Sequence, residues 1–265
     1  MHFLISPAKT LDYVSPHTVP APTRPRFLTE SAELISVLKP KTAQEIAELM
    51  NLSPALAELN VARYGAWSTR FTERNSKPAV LAFNGDVYEG LNAATLSHDD
   101  LTWAQAHVSI LSGLYGLLRP LDRMQPYRLE MGTALATARG KTLYEFWGDT
   151  LAKQLNRQLA AHKPRVIVNL ASQEYFHAAR RKALKARVIE CVFEDWKGGG
   201  YKVISFFAKR ARGLMLRHAI TTRLEAPQGL EEFGAEGYRF DPSVSEPDRL
   251  VFRRRVETDP AESNP

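Results

Sequence analysis

The chain has 265 residues, of which 44% are hydrophobic and 24% charged, and its formal net charge is +6. This composition is typical of an ordinary globular protein and excludes a disordered or fibrous chain. No apolar run approaches the roughly 20 residues of a membrane span, and the N-terminus lacks the features of a signal peptide. We therefore expect a cytoplasmic protein that does not enter a membrane.

Cysteine and histidine usage limits the metal chemistry that the sequence supports. The single cysteine, Cys191, excludes an intramolecular disulfide and any multi-cysteine zinc or iron–sulfur site. It lies in a short apolar run, which favours a buried strand residue over a reactive thiol. The seven histidines show no metal-ligand spacing. We predict neither a metal site nor a cofactor.

Four short apolar runs, which begin at Phe3, Val80, Val108 and Val166, each end in a small polar tail. Such runs, separated by segments of helical period, predict a largely parallel sheet flanked by helices in a mixed α/β fold. Ligands bind outside the carboxyl ends of the strands in such sheets. The tails therefore predict a cleft lined by Ser6, Lys9, Thr10, Asn84, Asp86, Tyr88, Ser112, Tyr115, Ser172, Glu174 and Tyr175.

Two of these residues could carry chemistry. Lys9 follows the first predicted strand, where an ammonium group can meet a phosphate or act as an amine nucleophile. Asp86 could serve as a general acid or base near Lys9, or it could cap its own turn. Lys9 and Asp86 are therefore the catalytic candidates, but no reaction can be assigned to them from sequence.

Residues 42–64 predict two short helices joined by a tight turn. The first begins with a capping box formed by Thr42 and Glu45, and the second with Ser53 as N-cap and Pro54 at its first position. Helix pairs of this kind form DNA-binding motifs, but they also cover sheets without reading any sequence. Both interpretations remain open.

The segment 112–132 is irregular, because Pro120 and Pro126 prevent a long helix. Long irregular segments inside a domain are usually functional or form a packed loop. Arginines interleaved with tyrosine suit phosphate contact together with base stacking. We therefore predict that Arg119, Arg123 and Arg128 bind phosphate and that Tyr127 and Glu130 line the cleft.

The last third predicts strands at 166–170, 187–193 and 201–207 and helices at 175–185 and 208–223. A glycine turn at 198–200 makes a hairpin of the last two strands, so the sheet is mixed. Between Trp196 and Leu224 there are seven lysines and arginines and no acidic residue. These cations either form a solvated helix face or bind a polyanion; the phosphate-binding candidates are Lys209, Arg210, Arg212 and Arg217.

We expect one α/β domain over residues 1–258 and a frayed tail over 259–265, which is rich in polar residues and proline. Motifs along this domain carry a family resemblance. They are Leu4-Ile-Ser-Pro-Ala-Lys-Thr-Leu-Asp12, Gly85-Asp-Val-Tyr-x-Gly-Leu91, Leu111-Ser-Gly-Leu-Tyr-Gly-x-Leu-Arg-Pro-Leu-Asp122, Met124-Gln-Pro-Tyr-Arg-Leu-Glu-Met-Gly132, Phe146-Trp-Gly-Asp149, Asn169-Leu-Ala-Ser172 and Ala211-Arg-Gly-Leu-Met215.

With these motifs, the chain resembles the bacterial peroxide stress resistance protein YaaA family over residues 2–254. The resemblance implies a cytosolic protein that protects against hydrogen peroxide by limiting free iron and hence oxidative damage to DNA. It also implies a positively charged cleft, a helix-hairpin-helix element and an ability to bind duplex DNA.

We therefore predict double-stranded DNA as the partner, with cationic segments holding phosphates and the cleft accepting a displaced or damaged base. The alternative is an enzyme that acts on a nucleotide, a nucleobase or damaged DNA through Lys9 and Asp86, with a nucleotide-like small molecule as its ligand. A third hypothesis is a regulatory module that affects iron through a partner protein. The sequence does not specify the oligomeric state.

Overall fold

A mixed β-sheet forms the centre of the computed structural model, which describes residues 1–19, 21–180 and 182–255. The strands are β1 (His2–Ile5), β2 (Thr10–Leu11), β3 (Lys77–Pro78), β4 (Phe83–Asn84), β5 (Val108–Ser112), β6 (Gly116–Leu118), β7 (Arg123–Met124), β8 (Val166–Asn169), β9 (Arg187–Lys197), β10 (Gly200–Lys202), β11 (Arg239–Phe240) and β12 (Arg249–Arg254). The predicted tail at 259–265 lies outside the described residues.

Ten α-helices surround these strands within the described ranges. They are α1 (Leu28–Leu38), α2 (Ala43–Met50), α3 (Pro54–Ala66), α4 (Ala79–Ala82), α5 (Asp86–Leu91), α6 (His98–His107), α7 (Leu143–Trp147), α8 (Thr150–Leu159), α9 (Gln173–Ala179) and α10 (Ser205–Thr221). Among the residues described, no helix is long and apolar enough to cross a lipid bilayer.

The main sheet has the strand order β11-β12-β9-β8-β1-β5-β6. The five strands from β12 to β5 are parallel, whereas β6 and β11 pair antiparallel at the edges and β10 forms an antiparallel hairpin with the end of β9. The predicted mixed, largely parallel sheet flanked by helices is therefore confirmed.

The strands β1, β5 and β8 are adjacent, and every residue in them is buried. Burial on both faces explains why they appear in the sequence as short continuous apolar runs. Because the three strands are parallel, the segments that follow Ile5, Ser112 and Asn169 leave the sheet at the same edge.

The apolar run at Val80 is not a strand of this sheet, contrary to the sequence prediction. Val80–Ala82 belong to the helical turn α4, and Phe83 and Asn84 form the short strand β4, which pairs with β2. The amides of Ala79 and Val80 donate to the carbonyl oxygens of Asp122 and Pro120. The irregular segment after β5 therefore satisfies the hydrogen bonds that a sheet neighbour would have made.

Two boundaries in the last third also differ from the prediction. The helix expected at 175–185 begins at Gln173, after the N-cap Ser172, and ends at Ala179. The strand expected at 201–207 is only the short β10, because α10 begins at Ser205.

The predicted helix pair at 42–64 is present as α2 and α3. Thr42 and Glu45 form the capping box, and the Ser53 hydroxyl accepts from the Leu56 amide. The Tyr64 hydroxyl donates to the Arg128 carbonyl oxygen, which attaches α3 to the irregular segment. A DNA-binding role for this pair stays a prediction.

Helices α5 and α10 approach each other so closely that only glycine fits at two positions. A Cβ atom on Gly90 would lie 2.2 Å from the Arg210 carbonyl oxygen, and one on Gly213 would lie 1.9 Å from the Val87 carbonyl oxygen. Both contacts are with backbone, which cannot rotate away as a flexible side chain can. The absence of two side chains therefore determines the spacing of the two helices.

We expect Gly213→Ala to lower the free energy of unfolding by about 1–3 kcal/mol, because the added methyl group forces α5 and α10 apart. The matched control is Gly65→Ala in α3, where a Cβ would meet no atom within 4 Å. This control should gain about 0.5 kcal/mol from the better helix propensity of alanine. Chemical denaturation measures the free energy of unfolding of each variant. Equal effects of the two substitutions would contradict the close contact between α5 and α10.

Three histidines, His2, His107 and His162, cluster near the amino-terminal ends of the parallel strands β1, β5 and β8. The His2 Nε2 atom lies 2.9 Å from the Ser109 hydroxyl, and the ring of His162 lies 5.9 Å from that of His2 and 4.7 Å from that of His107. Burial, followed by the neighbouring His162 and His107, lowers the pKa of His2 to about 3. The ring of His2 is therefore neutral in the fold at any pH near neutrality.

This lowered pKa predicts acid sensitivity. The unfolded chain takes up a proton at His2 near pH 6.5 while the fold resists it, so stability falls as the pH drops from about 6.5 towards 3. The contribution of His2 to the slope is at most about 1.4 kcal/mol per pH unit. Denaturation at several pH values gives the free energy of unfolding as a function of pH. Its slope should be shallower for His2→Gln than for wild type, whereas the exposed control His98→Gln should keep the wild-type slope. Equal slopes for wild type and His2→Gln would refute this origin.

Candidate functional site

A pocket of about 520 Å³ lies at the carboxyl ends of β1 and β8 and is bounded by α5 and α10. Its volume falls within the range of small-molecule sites. The polar and charged side chains around it are Ser6, Lys9, Thr10, Asn84, Asp86, Tyr88, Glu130, Ser172, Glu174, Tyr175, Lys209 and Arg212. The structure thus brings the two catalytic candidates and most of the predicted cleft residues into one place.

Hydrogen bonds hold the segments that form the pocket. The Ser172 amide donates to the Ser6 hydroxyl at 2.9 Å, and the Ser6 hydroxyl donates to that of Ser172 at 3.3 Å. The buried Tyr88 hydroxyl donates to the Ser6 carbonyl oxygen at 3.0 Å. The ends of β1 and β8 and the helix α5 are therefore fixed relative to one another.

Ion pairs involve most of the charged groups around the pocket. Lys9, whose side chain is 63% exposed, lies 2.9 Å from Glu130, and Arg128 contacts the other oxygen of that carboxylate at 3.0 Å. Lys209 lies 3.9 Å from Asp86. Three cations and three carboxylates line the pocket, so it is not uniformly basic, in contrast to the cleft expected from the resemblance.

Arg212 differs from the other charged groups of the pocket. It is partly buried, and no residue that the structure describes forms a hydrogen bond or an ion pair with its guanidinium. Burial lowers the pKa of Arg212, while Cys191 and Glu190 on β9 act on it only through longer-range electrostatics. A desolvated cation therefore faces the pocket without a bonded counter-charge.

Three residues predicted for the cleft lie in the core instead. Ser112, Tyr115 and Tyr127 are buried, and the Ser112 and Tyr127 hydroxyls lie 2.6 Å apart. The Tyr115 hydroxyl accepts from the Trp67 indole at 2.9 Å and the Gln125 amide at 3.1 Å. The irregular segment folds back over the end of β5, so side chains that leave this strand point into protein rather than solvent.

The arginines of the irregular segment bind their own surroundings and do not line the pocket. Arg119 pairs with the buried Asp122 at 2.9 Å, and Arg123 donates to the Ser76 carbonyl oxygen at 3.0 Å and approaches Glu73. Together with the Arg128–Glu130 pair, these contacts hold the segment in shape. The structure therefore places these three arginines outside the lining of the pocket, and phosphate binding by them stays a prediction.

The predicted phosphate-binding cations of α10 also fall into two groups: some bind neighbouring residues, and others reach the pocket. Arg210 pairs with Glu236 at 2.6 Å, and Arg217 donates to the carbonyl oxygens of Leu91 and Asn92 at the end of α5. Lys209 and Arg212, three residues apart on one helix face, are the α10 cations that reach the pocket. The sequence pattern favours all four cations alike, whereas Gly90 and Gly213 indicate which face of α10 meets α5.

Metal binding and thiol chemistry find no support in the described part of the chain. Within it, no three His, Cys, Asp or Glu side chains are placed to hold a metal ion. Cys191 is buried in β9, and burial raises the pKa of its thiol to about 12. The thiol is therefore protonated and inaccessible in the folded protein.

Comparison with known proteins gives a consistent family assignment. A family described as "Peroxide stress protein YaaA" matches residues 1–244. A UPF0246 protein of Bordetella petrii is 63% identical over 256 residues, which cover 97% of this chain and 100% of the relative. UPF0246 proteins of Polaromonas sp. strain JS666 and Paracidovorax citrulli are 66% and 64% identical, each over 96% of this chain and 99% of the relative.

The environment of Cys191 predicts that this thiol is inert in the native protein. We expect iodoacetamide at pH 8 and hydrogen peroxide to leave Cys191 unmodified in the fold, whereas both react after unfolding in denaturant. Mass spectrometry of the peptide that contains Cys191 measures this difference. Rapid modification of Cys191 in the native state would show that β9 opens, and it would make this thiol a candidate for redox chemistry.

Proposed function

Because the chain belongs to the peroxide stress protein YaaA family, we propose that it protects against peroxide in the cytoplasm by binding DNA and limiting iron-dependent damage to it. The family gives the role in peroxide stress. DNA as the partner, and protection at the DNA itself, are the proposal.

The observation that carries this proposal is the pocket between α5 and α10. Lys209 and Arg212 offer cationic groups on one helix face, and the rings of Tyr88 and Tyr175 offer apolar walls. Cations hold phosphates, and aromatic rings favour bases. A pocket of about 520 Å³ has room for one displaced or damaged base rather than for a duplex.

The helix pair α2 and α3 supplies a second contact in this proposal. Leu56 and Leu59 are 40% and 44% exposed on α3. Exposed apolar side chains can wedge against bases. The pair would hold the duplex while the pocket accepts the base.

A second candidate function is an enzyme that acts on a nucleotide, a nucleobase or damaged DNA. It is favoured by the position of Lys9 and Asp86 on the same pocket. Lys9 would act as a nucleophile or contact phosphate, and Asp86 would transfer a proton. In this alternative, Glu130 and Lys209 position the two groups through their ion pairs.

Binding to plain, bulged and abasic duplexes over a range of salt concentrations tests the proposal. We expect affinity to fall as salt rises, because phosphate contacts release counterions. The bulged and abasic duplexes should bind more tightly than the plain one, because the displaced base is already unpaired. Lys209→Ala should reduce the salt dependence by about one counterion, whereas Lys153→Ala, an exposed lysine on α8, should not.

Product analysis on the same samples separates binding from catalysis. Altered DNA with wild type but not with Lys9→Ala would favour the enzyme. Equal binding to all three duplexes would remove the base pocket from the proposal. No salt-dependent binding to any duplex would remove DNA as the partner.

A further inference from the structure

The pocket combines compensated and uncompensated charges. Lys9 is bonded to Glu130, and Lys209 lies beside Asp86. The carboxylate of Glu174 accepts from the Gly132 amide at 2.9 Å. Among the described residues, Arg212 is the charged group of the pocket for which no bonded partner is found.

An unpaired guanidinium costs free energy wherever it is partly removed from water. Elsewhere in this protein such groups have partners: Arg254, which is buried, pairs with Asp195 at 2.7 Å. Since no such partner of Arg212 is found among the described residues, the contrast points to a bound ligand as its partner. A planar guanidinium fork is suited to two oxygens of one oxyanion.

The carboxylates of the pocket restrict that oxyanion. Asp86, Glu130 and Glu174 also line the space and repel a ligand that carries several negative charges. A ligand with one phosphate group meets the free charge of Arg212 and leaves the other pairs intact. A chain of phosphates would bring further charges towards the three carboxylates.

We propose that Arg212 is the anchor for a single phosphate group in this pocket, either of a nucleoside monophosphate or of a backbone phosphate beside a displaced base. This inference rests on the proposed function for its ligand class and adds the phosphate-binding residue and the preference for one phosphate. Tyr88 and Tyr175 would lie against the base or sugar. The Ser172 hydroxyl, which accepts a hydrogen bond from the Ser6 hydroxyl, lies on the same wall and would donate its own hydrogen to a polar group of the ligand.

Thermal shift and calorimetric titration with dAMP, dATP, deoxyadenosine and inorganic phosphate test this inference. We expect dAMP to raise the melting temperature of wild type more than any of the other three probes at equal concentration. Arg212→Gln should weaken dAMP binding at least about 10-fold, which is the loss expected for a charge-assisted hydrogen-bonded pair. Arg212→Lys keeps the charge but loses the planar fork of the guanidinium. Its affinity for dAMP should therefore lie between those of wild type and Arg212→Gln.

The unliganded variants test whether Arg212 has a merely structural role. Because Arg212→Gln removes an uncompensated charge, it should melt at the same temperature as wild type or higher. Arg139→Gln is the matched control, since Arg139 pairs with Glu33 away from the pocket. The Arg139→Gln variant should bind dAMP with the affinity of wild type.

The outcomes separate this inference from the proposed function. If wild type binds duplex DNA but dAMP binds equally well to wild type and Arg212→Gln, the anchor is wrong and the DNA proposal stands. If dAMP binding depends on Arg212 but no duplex binds, the anchor stands and DNA is not the partner. A large loss of melting temperature in unliganded Arg212→Gln, or tighter binding of dATP than of dAMP, would also overturn the inference.

Discussion

The close contact between α5 and α10 is the constraint on which the candidate site depends. Gly90 and Gly213 let each helix meet the backbone of the other. At that spacing, Asp86 and Tyr88 on α5 border the same pocket as Lys209 and Arg212 on α10. Any larger side chain at the two glycine positions would open this wall, so the site is a consequence of helix packing rather than of a loop.

The sheet and the irregular segment complete the enclosure. Strands β1 and β8 end beside each other, and their following residues are joined through the hydroxyls of Ser6 and Ser172. The segment after β5 covers the next strand end and uses its arginines for its own internal pairs. Of the groups in that segment, Glu130 reaches the pocket and contacts Lys9. Most of the arginines described here already have partners, so net positive charge by itself does not locate an anion site.

Sequence reasoning succeeded where local chemistry decides the structure. The apolar runs at β1, β5 and β8, the caps Thr42 and Ser53, and the glycine turn of the β9–β10 hairpin are short-range signals, and the structure has each of them. It failed at Val80, where the segment after β5 supplies the hydrogen bonds, since that pairing is not visible in the run itself. It also placed Tyr115 in the cleft, because a strand end shows which edge a residue leaves but not what covers that edge. The Arg210–Glu236 pair joins residues 26 positions apart, so the fold had to be known before the cations could be sorted.

We expect a nucleic-acid ligand to bind one face of the protein, which is formed by the ends of β1 and β8 with α5 and α10. Hydrogen–deuterium exchange with and without a bulged duplex tests this claim most directly. The duplex should slow exchange in the backbone around residues 6–10, 84–88 and 205–212, which border the pocket. Protection confined to other segments would contradict this expectation; examples are those around Pro227 and Pro242, which line a separate pocket. No protection at saturating duplex would contradict it as well.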